Sequence, residues 1–309
     1  MKMSGNLLSS AVVAKLPKSV MIFGCGYVGT ALAEQLLAVG VRVGALTRNT
    51  EKAAQLRLMG VSEVVIADLD ASTWHSQLQG TYAAVVNCVS SAGGGLDGYR
   101  RSYLNGQRSI LQWAQGRGIK VYLYTSSTSV YPQDNAERVD ETADTSGAPP
   151  TGQVLCESER LLAGAADFFD AWYVLRLAGI YGPERHYLLD LLRSGESVIP
   201  GVGDYLLNLI HRADIVRAIS AALANRQPET SGIYNIADNQ PPTKAELVAW
   251  LAEQLEVPSP IFDPEQVSPR LLRRGGRMPS RRILNSKFCE TFEWQPEYVD
   301  YRAGYAELM

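Results

Sequence analysis

Cysteine is sparse and scattered in this chain. Cys25, Cys88, Cys156 and Cys289 are its four, with no Cys-x-x-Cys pair and no histidine at ligand spacing. That pattern excludes a disulfide framework and a zinc site and reads as reduced thiols in a cytoplasmic protein, with no metal centre expected. Long apolar runs are missing too, so no membrane partner is expected. The first 18 residues carry Lys2, Lys15 and Lys18, and Ser9-Ser10 interrupts their apolar run, which argues against a secretory leader. Neither sign of charge dominates: the net charge is -3, and nothing in it calls for nucleic acid. Internal repeats and low-complexity tracts are absent. What remains is an ordinary globular composition, 46% apolar and 20% charged over 309 residues. That length suits one large α/β domain with an appendage, or two domains sharing a cleft.

The most informative stretch present is Gly24-Cys25-Gly26-Tyr27-Val28-Gly29. Before it, Ser19-Val20-Met21-Ile22-Phe23 has the short, apolar, partly β-branched character of a buried parallel strand. After it, residues 30–39 place Leu32, Leu36 and Leu37 at helical spacing and stop at Gly40. A glycine-rich turn between strand and helix is a dinucleotide-binding arrangement. Gly24 permits the tight turn, Gly26 lets the backbone approach a pyrophosphate, and Gly29 lets helix and strand pack closely. The helix N-terminus that follows offers unpaired N–H groups and a partial positive charge to phosphates, and Tyr27 and Val28, leading into it, are expected cofactor contacts. A bare βα turn is the competing reading, and the flanking elements weigh against it.

Strand signals at 41–47, 63–67, 83–87, 120–126 and 172–177 alternate with helical signals at 51–59, 99–117 and 152–165. This rhythm predicts an α/β fold: a Rossmann-type doubly wound parallel sheet with ligand at the carboxyl ends of its strands. After Tyr181-Gly182-Pro183 the rhythm changes, with a helix at 212–223, a strand at 232–236 and a helix at 243–254. Thr243-Lys244-Ala245-Glu246 has the form of a capping box. Residues 257–282 are rich in Pro, Gly and Arg and read as irregular. The expected division is a tail at 1–18, a nucleotide-binding domain at 19–180, and a smaller C-terminal α/β substrate region at 181–309. Parts of 205–236 return to the first core.

Further segments occur in a recognisable order: Ile66-Ala67-Asp68-Leu69, Thr125-Ser126-Ser127-Thr128-Ser129-Val130-Tyr131, Leu175-Arg176-Leu177-Ala178-Gly179-Ile180-Tyr181-Gly182-Pro183 and Ile210-His211-Arg212-Ala213-Asp214. The series resembles the extended short-chain dehydrogenase/reductases, the NAD-dependent epimerase/dehydratase family, from about residue 20 to residue 305. Asn208-Leu209-Ile210-His211-Arg212 and Ile236-Ala237-Asp238-Asn239-Gln240-Pro241 resemble an atypical, YeeZ-like bacterial subgroup. The resemblance implies that Asp68 and Leu69 meet the adenine, although Asp68 could instead cap a helix. It places Asn87, Ser90, Ser126 and Ile180 along the cofactor pocket. Ser127 matches the catalytic Ser/Thr that orients a substrate carbonyl or hydroxyl. Tyr131 follows four residues on, where typical members use a tyrosine mainly to shape the pocket. Asp214 reads as a structural acid in the first turn of a helix.

The second strand ends in Leu46-Thr47-Arg48-Asn49, without the acid that usually holds free ribose hydroxyls. Arg48 suits a 2′-phosphate, so NADP(H) is expected over NAD(H); a solvated arginine at a helix start is the alternative. The typical family carries a Tyr-x-x-x-Lys pair as acid–base and ribose contact. No tyrosine here has lysine four residues on, and Thr151 and Leu155 fall at the two positions. Tyr103 stands where the family has an asparagine. Tyr131 and Tyr181 are the substitutes on offer, and His186 and His211 can serve as acid–base groups or as substrate contacts, though a histidine is more often structural.

Residues 270–287 hold Arg270, Arg273, Arg274, Arg277, Arg281, Arg282 and Lys287 and no acid. The expected partner is a small anionic substrate, nucleotide-sugar-like in the typical family, with Arg281 and Arg282 as contacts; a solvated loop is the alternative. A homodimer through the 99–117 and 152–165 helices is the family's habit. Three functional readings follow. One is an NADP(H)-dependent oxidoreductase or epimerase/dehydratase-like enzyme with non-standard acid–base residues. The second is a catalytically silent NADP(H) sensor, and the third an assembly factor with a permanently bound nucleotide.

Overall fold

The computed structural model describes residues 8–91, 93–238, 240–267, 272 and 278–309. Seven strands make the main sheet: β1 (Ser19–Phe23), β2 (Arg42–Thr47), β3 (Glu63–Ile66), β4 (Ala84–Asn87), β5 (Val121–Ser127), β7 (Ala171–Leu177) and β11 (Gly232–Ile236). All pair in parallel, in the order β11-β7-β5-β4-β1-β2-β3. Every residue of β1 and of β4 is buried, as in strands covered on both faces by helices. Alternate side chains serve opposite faces: Val20 and Ile22 join one core, Met21 and Phe23 the other. The order runs outward in both directions from β1 and β4. Their carboxyl ends therefore flank the crevice where such sheets bind ligands.

Six short strands pair two by two outside this sheet: β6 (Arg138–Val139) with β13 (Arg282–Ile283), β8 (Gly179–Tyr181) with β10 (Leu209–His211), and β9 (Val198–Pro200) with β12 (Ile261–Asp263). The C-terminal lobe has its own core, where Tyr181, Leu189 and Leu192 meet Leu247, Leu251, Tyr301 and Tyr305. Thr243 caps the Lys244–Gln254 helix in a full capping box, as its spacing predicts. Asn208 stitches the last third of the chain to the cleft: its amide donates to Arg281 O and its oxygen accepts from Ile283 N.

Local differences from the sequence reading have local causes. The expected tail contains a helix, Ser10–Lys15, capped by Ser9. Leu8 and Leu16 beside it are buried, and it packs on the Arg212–Ala224 helix. The first crossover helix is Tyr27–Ala38 and starts three residues before the expected Thr30, because the glycine turn itself supplies the first helical residues. The next long helix occupies 95–114 and widens into a π-helical stretch at Arg100–Asn105. No helix of the described residues is long and apolar enough to cross a membrane.

Candidate functional site

A cleft of about 1170 Å³ opens at the carboxyl end of the sheet. Its floor at the switch point is the glycine turn, and the three glycines do different things there. Gly24 has φ +85, and a Cβ on it would lie 2.6 Å from Val89 N. A Cβ on Gly29 would lie 2.5 Å from Gly24 O, so helix and strand touch at that point. A Cβ on Gly26 would meet nothing within 4 Å; this is the open, cleft-facing position. Tyr27 and Val28 begin the helix with their N–H groups at its N-terminus, and both line the cleft.

At one end of the cleft, Arg48 and Asp68 stand 3.7 Å apart, about half and two-thirds exposed. Asn49 caps the Thr50–Met59 helix by accepting from Lys52 N. Lys52, Leu69 and Asp70 complete that end. Sequence reasoning missed Lys52, although its place one turn past Arg48 was a usable signal.

Ser90, Ser126, Ser127, Ile180 and Tyr181 line the other half. Ser126 Oγ donates to the buried Glu159 at 2.6 Å. Ser127 Oγ accepts from Ser129 N and sits on the wall. Tyr181 stacks on Tyr305 at 4.9 Å, and its buried hydroxyl has no hydrogen-bond partner among the described residues. Burial, aided by the charge of Asp238, holds that phenol above its ordinary pKa. Tyr103 also reaches the cleft, and burial pushes its phenol up to about 12. The π-helical stretch carries both Tyr103 and Arg101 to the wall.

Several expected site residues lie elsewhere. Asn87 is buried beneath the floor; its amide donates to Gln107 and its oxygen accepts from Val89 N, so it shapes the strand end. Tyr131 is 1% exposed and off the cleft, donating to Asn235 and accepting from Arg176. His211 caps the Arg212–Ala224 helix through Nδ1, and burial lowers its pKa to about 4. His186 faces Asp190 at 2.9 Å on its own helix. Neither histidine lines the cleft. Arg282 lies in a separate hollow with Arg138 and Asp238. Arg281 is on the cleft wall but 6% exposed, donating to Gln133 O and Thr128 O. Arg270, Arg273, Arg274 and Arg277 lie outside the described residues. The Tyr-x-x-x-Lys positions supply nothing either: Leu155 is buried in the core, and Thr151 is not on the cleft. Arg101 and Arg185, which sequence reasoning passed over, are there instead.

Comparison with known proteins agrees with this architecture. Protein YeeZ of Escherichia coli K12 is 28% identical over 293 residues, covering 92% of this chain and 97% of YeeZ. The ADP-L-glycero-D-manno-heptose-6-epimerase of Helicobacter pylori superposes with a TM-score of 0.79 at 16% identity, covering 97% of each chain. The UDP-glucuronic acid 4-epimerase of Bacillus cereus, in complex with UDP-glucuronic acid and NAD, superposes with a TM-score of 0.79 at 17% identity, covering 93% of this chain and 96% of that one. Residues 20–237, from β1 to the end of β11, match the sequence profile of the NAD dependent epimerase/dehydratase family, and the chain belongs to that family.

Proposed function

We propose that this protein is an NADP(H)-dependent oxidoreductase or epimerase/dehydratase-like enzyme acting on a small anionic substrate, of which a nucleotide sugar is one example. The observation that carries the reading is continuity. One cavity begins at Gly24 and Gly26 and includes Ser127, Ile180 and Tyr181. Its volume exceeds the roughly 300–1,000 Å³ of ordinary ligand pockets, which leaves room for a dinucleotide together with a second molecule. The residues suit the cofactor: the open face of Gly26 and the start of the Tyr27–Ala38 helix form an anion cradle at the switch point.

The glycine-turn N–H groups would hold the diphosphate, and Asp68 with Leu69 the adenine. Arg48, with Lys52 beside it, would take a 2′-phosphate, and that charge pair supports NADP(H) over NAD(H). A phosphate there would compete with Asp68 for the Arg48 guanidinium. Ser90, Ser126 and Ile180 would line the nicotinamide half. The bound cofactor supplies hydride chemistry. The chain's own part is to orient and to move a proton: the Ser127 hydroxyl can hydrogen-bond a substrate oxygen, and Tyr181 is the named substitute that remains on the wall. Burial keeps that phenol protonated at neutral pH and makes it a weaker acid than an ordinary tyrosine, so a substrate oxygen would have to reach its buried hydroxyl to take the proton. Tyr103 is a second phenol in the same cavity.

The sensor reading has its own observation. The Pro150–Ala163 helix brings no acid–base pair to the cleft, and Lys52, at the adenosine end, is the cleft's only lysine among the described residues. Hydride transfer separates the two readings. NADPH deuterated on the pro-S face is incubated with the protein and a metabolite extract, and products are searched by mass spectrometry. A labelled metabolite that disappears with Ser127→Ala is the expected result. NADPH binding without label, with unequal affinity for NADPH and NADP, would sink the enzyme reading in favour of the sensor.

A further inference from the structure

The turn after β8 is built tightly against the glycine turn. Gly182 and Arg185 exchange backbone hydrogen bonds of 3.2 and 3.0 Å around Pro183 and Glu184. Glu184 is held at φ +64, a conformation non-glycine residues adopt only when their surroundings enforce it. Tyr27, from the glycine turn, donates its hydroxyl to Pro183 O at 2.8 Å. Gly182 is what allows the two turns to close: a Cβ on it would lie 2.9 Å from the Tyr27 hydroxyl and 3.0 Å from His211 Nε2.

This bolting fixes where Arg185 sits. Its guanidinium lies 5.5 Å from the centre of the Tyr27 ring, and Arg212 lies against the same ring at 4.5 Å. Arg212 is off the cleft, whereas Arg185 is exposed and lines it. No ion pair joins Arg185 to a carboxylate among the described residues. The cleft's own acids, Asp68 and Asp70, stand with Arg48 at the adenosine end. A guanidinium with no ion pair among the described residues, carried on a tightly held turn, thus stands against the ring of Tyr27, the first residue of a helix whose preceding glycine leaves open space.

We propose that Arg185 is the far wall of the diphosphate cradle. The N–H groups of the glycine turn grip a nucleotide's diphosphate from one side and the Arg185 guanidinium from the other, through charge-assisted hydrogen bonds. The ligand class is a diphosphate-bridged nucleotide, and the C-terminal half of the chain supplies the clamp. This rests on the dinucleotide reading above.

The test is binding, measured by titration calorimetry on the full chain with NADPH, NADH and ADP-ribose. Arg185→Ala is expected to raise the Kd of all three by about tenfold or more, and Arg185→Lys to recover part of the loss. Arg48→Ala is expected to weaken NADPH selectively. Because Arg185 is exposed, the unliganded variant should melt where the parent protein does, which separates lost binding from lost folding. Unchanged affinities in Arg185→Ala, with the parent binding normally, overturn the clamp alone. If the parent chain binds none of the three ligands, the dinucleotide reading itself falls.

Discussion

Single residues in the cleft are constrained by distances of a few tenths of an ångström, and the two helix-side glycines of the turn show how differently. Adding a methyl to Gly29 drives it into Gly24 O at 2.5 Å, backbone against backbone, with no flexible end to move aside. Gly29→Ala is therefore expected to cost about 1–3 kcal/mol of stability, the usual range for overpacking, read as a lower urea midpoint. Gly26→Ala meets no atom within 4 Å. It should disturb stability less than Gly29→Ala and weaken NADPH binding instead, because the methyl occupies the space the diphosphate needs. Equal stability losses in the two variants would contradict this division of roles. That Gly24 permits a tight turn and that Gly29 packs closely were legible from the motif. The pairing of Arg48 with Asp68 was not, because it joins the ends of two neighbouring strands.

At the scale of elements, the Arg212–Ala224 helix has a titratable cap. His211 Nδ1 accepts from Ala213 N, and burial holds the imidazole neutral, with its pKa lowered to about 4. The unfolded chain takes up that proton near the ordinary value of about 6.5. Between these values the unfolded state binds more protons than the folded one, so the stability due to this neutral cap is complete above about pH 6.5. It drains away as the pH falls toward 4. Burial raises Asp214 and Asp238, and they work in the opposite direction in any variant that keeps them. His211→Asn preserves a capping acceptor without the titration. The expected outcome is that the parent loses more stability than His211→Asn between pH 6.5 and 4.5 in denaturant titrations; parallel curves would refute it. Most elements were readable in sequence because their signals are local: apolar runs for β1 and β4, leucine spacing for the first helix, a capping box at Thr243. The Ser10–Lys15 helix was not. It is one turn and a half long, and it depends on packing against the Arg212–Ala224 helix more than on propensity.

Across the whole molecule, a buried polar network ties the sheet to the C-terminal segments. Arg176 on β7 donates to Glu159 at 2.6 Å and to the Tyr131 hydroxyl at 2.9 Å. Tyr131 donates to Asn235 on β11, whose amide donates to Leu284 O. Burial works against the charge on Arg176, but the hydrogen bonds and charge of Glu159 outweigh it and hold the pKa above its ordinary value. Arg176→Met leaves Glu159 buried with the Ser126 hydroxyl but without its charged partner and is expected to cost about 3–5 kcal/mol. Arg108–Glu157 is a pair of similar chemistry, but both its side chains are about half exposed, so Arg108→Ala should cost at most about 1 kcal/mol. Chemical denaturation of the two variants compares them directly, and similar losses would show that burial does not set the value of the inner pair. The network also explains why Tyr131 could be mistaken for a cleft residue. Its position near Ser127 in sequence is right, but its ring turns inward to Arg176, 45 residues away along the chain.

The sequence by itself determined the parallel sheet, its helices and the glycine turn, since period-2 and period-3.6 burial and the steric freedom of glycine act within a few residues. It also determined what the chain lacks, a Tyr-x-x-x-Lys pair. Only the tertiary structure decided which polar side chains meet in the cleft. His211 became a cap, Arg281 a tie between backbone carbonyls, and Arg185 an open cation beside the glycine turn. The cap is a contact two residues long, but the roles of Arg281 and Arg185 depend on segments more than a hundred residues away, and side-chain orientation at such junctions is set by packing rather than by any local period.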